Sequence, residues 1–185
     1  MDDPSDEELM RRIAGGDESA FRVLARRCVP PAIGLARRIL ANTADAEEVV
    51  QEAMLRVWTT APRWRPEARF RTWLYRVVVN LCLNRRRRAP FARLDDVGDP
   101  ADPRPDAATQ MERDQRHRTI ADAIARLPER QRAAIVLTYH DGLGNAEAAA
   151  VLGTTRPAVE TLLVRAKRSL RQQLGPLATD DESGE

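Results

Sequence analysis

The chain has 185 residues, 30 basic against 28 acidic side chains for a net charge of +2, and only 4% aromatic residues. At about 100–200 residues per domain this is one ordinary domain or two small ones. Sparse strand formers and abundant Ala, Leu, Arg and Glu point to an all-α fold, and no apolar run approaches the ~20 residues of a membrane span.

In chain order, Asp6–Ala14 reads as a first helix stopped at Gly15-Gly16. Asp17 caps a second, which is expected to break at Pro30-Pro31 and resume through Leu40. A third begins near Asp45, with Asp45 and Glu48 in a capping arrangement; its apolar stripe is Val50, Met54, Val57 and Trp58. Pro62 and Pro66 bracket a loop rich in Arg and Trp. The fourth helix is the most regular: Phe70, Trp73, Leu74, Val77, Val78 and Leu81 keep helical spacing, and it runs out into Arg85-Arg86-Arg87-Arg88. Residues 89–112 hold Pro90, Pro100, Pro103 and Pro105 with five aspartates, the composition of an extended linker. It separates an N-terminal module, 1–88, from a C-terminal one, 113–175; residues 176–185 form an acidic tail.

In the second module, Ile120, Ile124 and Leu127 precede Pro128, and another helix covers about Glu129–His140. Asn145–Arg168 has the pattern of a helix-turn-helix. Ala149 is small enough for close helix approach, Gly153 suits a left-handed end residue, Thr155 is placed to cap the next helix, and Pro157 is tolerated in its first turn. The second helix of such a unit enters the DNA major groove.

The small net charge conceals segregation. Residues 1–62 balance at −3, 63–94 at +9, 95–112 at −5, 113–175 at +5 and the last ten at −4. Two basic surfaces separated by an acidic connector suit a polyanion such as nucleic acid. Cys28 and Cys82 have no CxxC spacing and no histidine at ligand spacing, which argues against a disulfide scaffold or zinc site and fits a reducing cytoplasm. No cofactor is expected. No phosphate loop, dinucleotide motif or nucleophile elbow occurs, and His117 and His140 stand apart from any nucleophile or metal cluster, so an enzyme is not expected.

Two faces invite a functional reading. On the third helix, at ~100° per residue, Leu55 lies about 140° from Val50, among Glu48, Glu52 and Asp45 at about 160–220°. This is either a solvated acidic face or a docking surface for a basic helical partner. On the fourth helix, Thr72, Arg76, Val79 and Leu83 lie opposite Leu74, flanked by Tyr75 and Asn80. With Arg63, Trp64, Arg65 and Arg69 they pair cations with exposed aromatics, which suits opened DNA; alternatively Trp64 is buried and the arginines only solubilise.

The order DAEEVVQEAMLRVW (45–58), RFRTWLYRVVVNLCLNRRRR (69–88), a linker, then LPERQRAAIVLTYHDGLGNAEAAAVLG (127–153) resembles the extracytoplasmic-function (ECF) class of RNA polymerase sigma factors over residues ~5–174. The resemblance implies two small helical domains, region 2 and region 4, whose partners are core RNA polymerase (its β′ clamp helices and β flap) and promoter DNA. It further implies an anti-sigma partner, expected at the membrane. Residue by residue, it assigns Asp45, Glu48, Gln51 and Glu52 to polymerase docking, and Leu55, placed among them by the helical spacing above, joins that surface. Arg63, Trp64, Arg65, Arg69, Arg71, Thr72, Tyr75, Arg76 and Asn80 go to the −10 element, and Thr155, Arg156, Pro157, Glu160, Arg165 and Lys167 to the −35 element. Family members often carry T-V-K-S-R-L where this chain has Ala158-Val159-Glu160-Thr161-Leu162-Leu163. The change implies either altered −35 specificity or weaker binding. Val79, Leu83 and Leu162 are either apolar groups that an anti-sigma helix covers or, alternatively, Leu162 belongs with Leu163 to the module's own core and Val79 is an ordinary surface residue. The competing readings are a helix-turn-helix regulator that binds duplex DNA without polymerase, which leaves the first module unexplained, and a helical scaffold, which makes the +9 block incidental.

Overall fold

The computed structural model describes residues 3–66, 69–88 and 107–175, and all regular structure among them is helical. The helices are α1 (Asp6–Ala14), α2 (Glu18–Leu40), α3 (Thr43–Thr60), α4 (Phe70–Arg88), α5 (Ala107–Ala125), α6 (Glu129–Ile135), α7 (Asn145–Leu152) and α8 (Arg156–Leu174). A 3-10 turn covers Ala61–Arg63, and α6 continues as a π-helical turn, Val136–His140. No described helix is long and apolar enough to cross a membrane.

Local chemistry sets most boundaries. Ser5 and Asp17 accept from the first-turn amides of α1 and α2, and Thr155 accepts from Ala158 N at 3.4 Å to start α8, each satisfying a donor that a helix start otherwise leaves unpaired. Gly153 ends α7 at φ +60°, the left-handed geometry that favours glycine.

Three expectations fail for identifiable reasons. First, α2 runs unbroken through Pro30 and Pro31. Both prolines are exposed, so the carbonyls they leave without amide donors sit on the solvent side of the helix, and the cost is borne by the long buried face from Ala20 to Leu40. Second, α3 is capped by Asn42, whose side chain accepts from Asp45 N at 2.8 Å; Asp45 is left free to act elsewhere. Third, Trp58 is off the core stripe and 37% exposed, its ring packed edge-on against Phe21 at 5.4 Å. In addition, residues 107–112 of the expected linker form the first turns of α5; residues 89–106 and the acidic tail lie outside the described residues.

The two modules share one continuous apolar core. α4 packs on α2 and α3 on one side and on α7 on the other. The junction is built at the C-terminus of α2. Arg86 donates to Leu40 O at 3.2 Å from α4, and Arg132 donates to Ile39 O at 2.7 Å from α6. Arg132 also bonds Ile124 O at 3.1 Å, Leu127 O at 3.0 Å and Ala125 O at the end of α5. A buried guanidinium is thus held without a carboxylate, by carbonyls at the negative ends of two helices. Burial pushes its pKa down to about 10, so it stays charged at neutral pH. Replacing it by Met leaves four carbonyls without their charged donor. We expect Arg132→Met to lower the unfolding free energy by about 3 kcal/mol, read by urea denaturation; a loss under about 1 kcal/mol would show that water substitutes for the guanidinium.

Cys28 and Cys82 are free and buried. Burial pushes their thiols up to about 11 and about 12, so neither forms the reactive thiolate at neutral pH.

Candidate docking and nucleic-acid surfaces

The N-terminal module presents α3 and α4 side by side. On α3, Leu55 is 62% exposed, with Gln51, Glu52 and Glu48 exposed around it. Val49, Val50, Ala53, Met54 and Val57 face the core and fix the helix in this orientation. Asp45 and Glu48 are not free carboxylates. Arg85 of α4 reaches both, at 2.7 Å each, and Glu52 pairs with Arg56 at 2.6 Å. The acidic patch is therefore partly neutralised and held rigid from behind. Nothing in the local sequence marks Arg85 for this task, since it is one of four consecutive arginines and its partners lie forty residues upstream.

The loop before α4 carries Arg63, Trp64, Arg65 and Arg69, all exposed except Trp64, which is half-buried. Trp64 packs edge-on against Phe70, with ring centroids 6.2 Å apart, so it is neither fully exposed nor lost in the core. α1 anchors this region. Glu7 accepts from Phe70 N at 3.0 Å, capping α4 from another helix. That bond, above all, draws the Glu7 carboxyl below its ordinary pKa.

Along α4 the expected DNA face splits in two. Arg71, Arg76 and Asn80 are exposed and Thr72 is half-buried. Tyr75 is 2% exposed and Val79 fully buried, contrary to the expectation of an open face. The reason is tertiary: α7 of the second module lies against α4. Leu83 is likewise packed against the shared core. Arg71 stacks on the Tyr75 ring, 5.0 Å from its centroid, and donates to Tyr75 Oη at 3.3 Å. Tyr75 foremost, then Asp141 and Glu147 of the second module, raise the pKa of Arg71.

In the C-terminal module, α7 and α8 form the expected helix-turn-helix. Val159, Leu163 and Ala166 bury one side of α8; Arg156, Pro157, Arg165 and Lys167 are exposed, as is the capping Thr155. Glu160 accepts from Arg156 Nε at 2.9 Å, so each neutralises the other. Leu162 packs partly buried against the module's own core. It is therefore a structural residue and not an open apolar group. Lys167 sits over Tyr139, 4.9 Å from the ring centroid, a cation–π contact. Tyr139 itself is well exposed, and its pairing with a lysine 28 residues away leaves no local mark in the sequence.

A helix-turn-helix behind a module with an exposed acidic helix face and a cationic loop is the architecture of a DNA-binding protein, and the comparisons with known proteins place it among transcription initiation factors. Residues 24–90 match the family description Sigma-70 region 2, and residues 117–170 match Sigma-70, region 4. The chain is 36% identical over 178 residues to the ECF RNA polymerase sigma factor SigM of Mycobacterium tuberculosis, covering 95% of this chain and 87% of that relative. It is 30% identical to the RNA polymerase sigma-H factor of Pseudomonas aeruginosa, covering 93% of this chain and 95% of the relative. Among solved structures, CnrH in complex with the cytosolic domain of CnrY is 28% identical, with a TM-score of 0.69 over 98% of this chain and 100% of that one. RpoE in complex with the anti-sigma factor NepR from Bartonella quintana shares the fold, with a TM-score of 0.66 at 19% identity over 86% of this chain and 98% of that one. The chain belongs to the sigma-70 family of RNA polymerase sigma factors, in its ECF class.

Proposed function

We propose that this sigma factor docks on the β′ clamp helices of core polymerase through Asp45, Glu48, Gln51, Glu52 and Leu55 of α3, with the β flap as a second contact. In this reading Arg63, Trp64, Arg65, Arg69, Arg71, Thr72, Tyr75, Arg76 and Asn80 hold the opened −10 strand. Thr155, Arg156, Pro157, Glu160, Arg165 and Lys167 meet the −35 element. The observation that carries the reading is the exposed leucine within a pre-ordered acidic patch on α3, a feature that a regulator acting on duplex DNA alone has no use for. An anti-sigma partner is part of the proposal, expected to be membrane-bound. Its support is the similarity to CnrH, solved with the cytosolic domain of CnrY, because Val79 and Leu162 are already covered within this chain.

Purified protein added to core polymerase on supercoiled promoter DNA tests the function. We expect specific transcripts that neither component makes alone. A protein that shifts duplex DNA but yields no core-dependent transcript would establish the helix-turn-helix regulator instead.

A further inference from the structure

The first turns of α8 carry chemistry that attraction to phosphate does not explain. The helix holds five bases, Arg156, Arg165, Lys167, Arg168 and Arg171, and a single acid, Glu160. A carboxylate on a helix meant for DNA works against that attraction unless it has a task of its own. Helix stability does not supply one. Glu160 lies beyond the first turn, where the pull of the helix dipole fades. Its partner Arg156 stands four residues before it, the less favourable order for such a pair. The pair forms all the same: Arg156 Nε donates to Glu160 Oε1 at 2.9 Å, with the two side chains 69% and 45% exposed. A carboxylate has about four acceptor positions, so one bond fixes and neutralises Glu160 while acceptor capacity remains toward solvent. One turn further on, Val164 is 68% exposed, the most exposed large apolar side chain among the described residues. Between the two, Thr161 donates its hydroxyl proton to Pro157 O at 2.9 Å, and Leu162 packs against the core. One and two turns after Arg156, α8 thus presents a fixed acceptor and a bare aliphatic side chain.

We propose that Glu160 and Val164 determine which −35 sequence this sigma factor selects: Glu160 accepts from the N4 amino group of a cytosine, and Val164 packs on the C5 methyl of a nearby thymine. Arg156 is the positioning residue, which holds the Glu160 carboxylate and screens it from the phosphates. The N-terminal residues of the second helix of a helix-turn-helix reach base edges in the major groove. There cytosine offers a donor alone, guanine two acceptors, and thymine a methyl group. A carboxylate has acceptors only, so it matches cytosine and is repelled by guanine. Valine makes no hydrogen bond and gains by covering the methyl. Four residues of helix advance about 6 Å, close to two base-pair steps of about 3.4 Å, so the selected cytosine and thymine lie about one to three base pairs apart. The proposal rests on the assignment of α8 to the −35 element and goes beyond it by naming the bases.

The test offers holoenzyme, assembled from core polymerase and the full-length chain, a promoter library randomised across the −35 element, and sequences the bound promoters. We expect the wild type to enrich cytosine about tenfold at one position, with a thymine preference close by. Glu160→Ala should flatten the cytosine preference alone. Glu160→Lys should turn it to guanine, whose O6 and N7 accept from an ammonium. Arg156→Met should weaken the cytosine preference while Glu160 is present and leave it unchanged in Glu160→Ala. For Val164, deoxyuridine in place of the preferred thymine removes only the methyl. It should weaken binding of the wild type about fourfold, the worth of one buried carbon, and that of Val164→Ala hardly at all. A cytosine preference that survives Glu160→Ala, or a gain in binding spread evenly over all sequences, would overturn the role of Glu160. An equal deoxyuridine penalty in wild type and Val164→Ala would overturn that of Val164. A holoenzyme that initiates with the same preferences in every variant sinks the base assignment alone. Absence of any core-dependent transcript sinks the sigma reading on which it rests.

Discussion

Leu55→Asp should abolish stable binding to core polymerase while leaving the protein folded. The side chain is 62% exposed, so aspartate there meets water in the free protein and unfolds nothing. In the complex it would carry a charge into the apolar centre of the contact. Losing a central anchor costs about 2 kcal/mol or more, roughly thirtyfold in Kd, and an introduced carboxylate adds its own desolvation. Binding to immobilised core, with circular dichroism melting as the folding check, reads the result. Unchanged affinity at unchanged melting would remove α3 from the docking surface. Glu48→Lys is the less clean variant, because Glu48 and Asp45 share Arg85, and a lysine there would repel that arginine and disturb the α3–α4 contact. Arg85→Ala gives a graded outcome on the same logic. It removes no predicted polymerase contact, yet it releases two carboxylates from a fixed geometry.

The comparison between Leu55 and Val79 shows what the sequence could and could not reveal. Both are apolar residues opposite the stripe of their own helix, and helical period alone treats them alike. The structure separates them. Leu55 faces solvent, whereas Val79 is buried on a helix against which α7, more than sixty residues further along the chain, also packs. Periodicity measures a residue against its own helix, and it cannot see a second domain arriving from outside. The same limit hides Arg132, one of six basic residues between 113 and 132 in the sequence, which becomes the charged knot joining α2, α5 and α6.

Local signals fared better because their physics is local. Gly153 with Thr155 marks the turn between α7 and α8, since a left-handed residue and a capping hydroxyl act over three or four residues. The spacing of α4 places Phe70, Leu74, Val78 and Leu81 in the core as expected. The misread break at Pro30-Pro31 has the opposite cause. A local rule was overridden by eight buried residues along α2, whose packing outweighs two missing amide bonds. Where proline sits on the exposed side, tertiary burial decides.

Arg76→Ala should leave core binding intact and reduce promoter opening. Arg76 is exposed on α4, so its loss removes the cation assigned above to the strand and leaves the buried packing of α4 in place. Trp64→Ala should act in the same direction and more strongly, because one base stacked on an aromatic ring is worth about 1–3 kcal/mol, or about 5- to 150-fold in the opened population. Its ring also meets Phe70 edge-on at 6.2 Å, an arrangement worth about 0.5–1.5 kcal/mol to the fold. The stability loss and the stacking loss must therefore be separated. Trp64→Phe does so, keeping a ring for both contacts: melting and opening should both stay near wild type, whereas Trp64→Ala loses some stability and most of the opening. Permanganate reactivity of −10 thymines in the holoenzyme is the measurement, with core affinity determined in parallel. Wild-type footprints in both Arg76→Ala and Trp64→Ala would mean that the loop and the exposed side of α4 do not hold the unpaired strand, and the +9 block would then act only by drawing the duplex in.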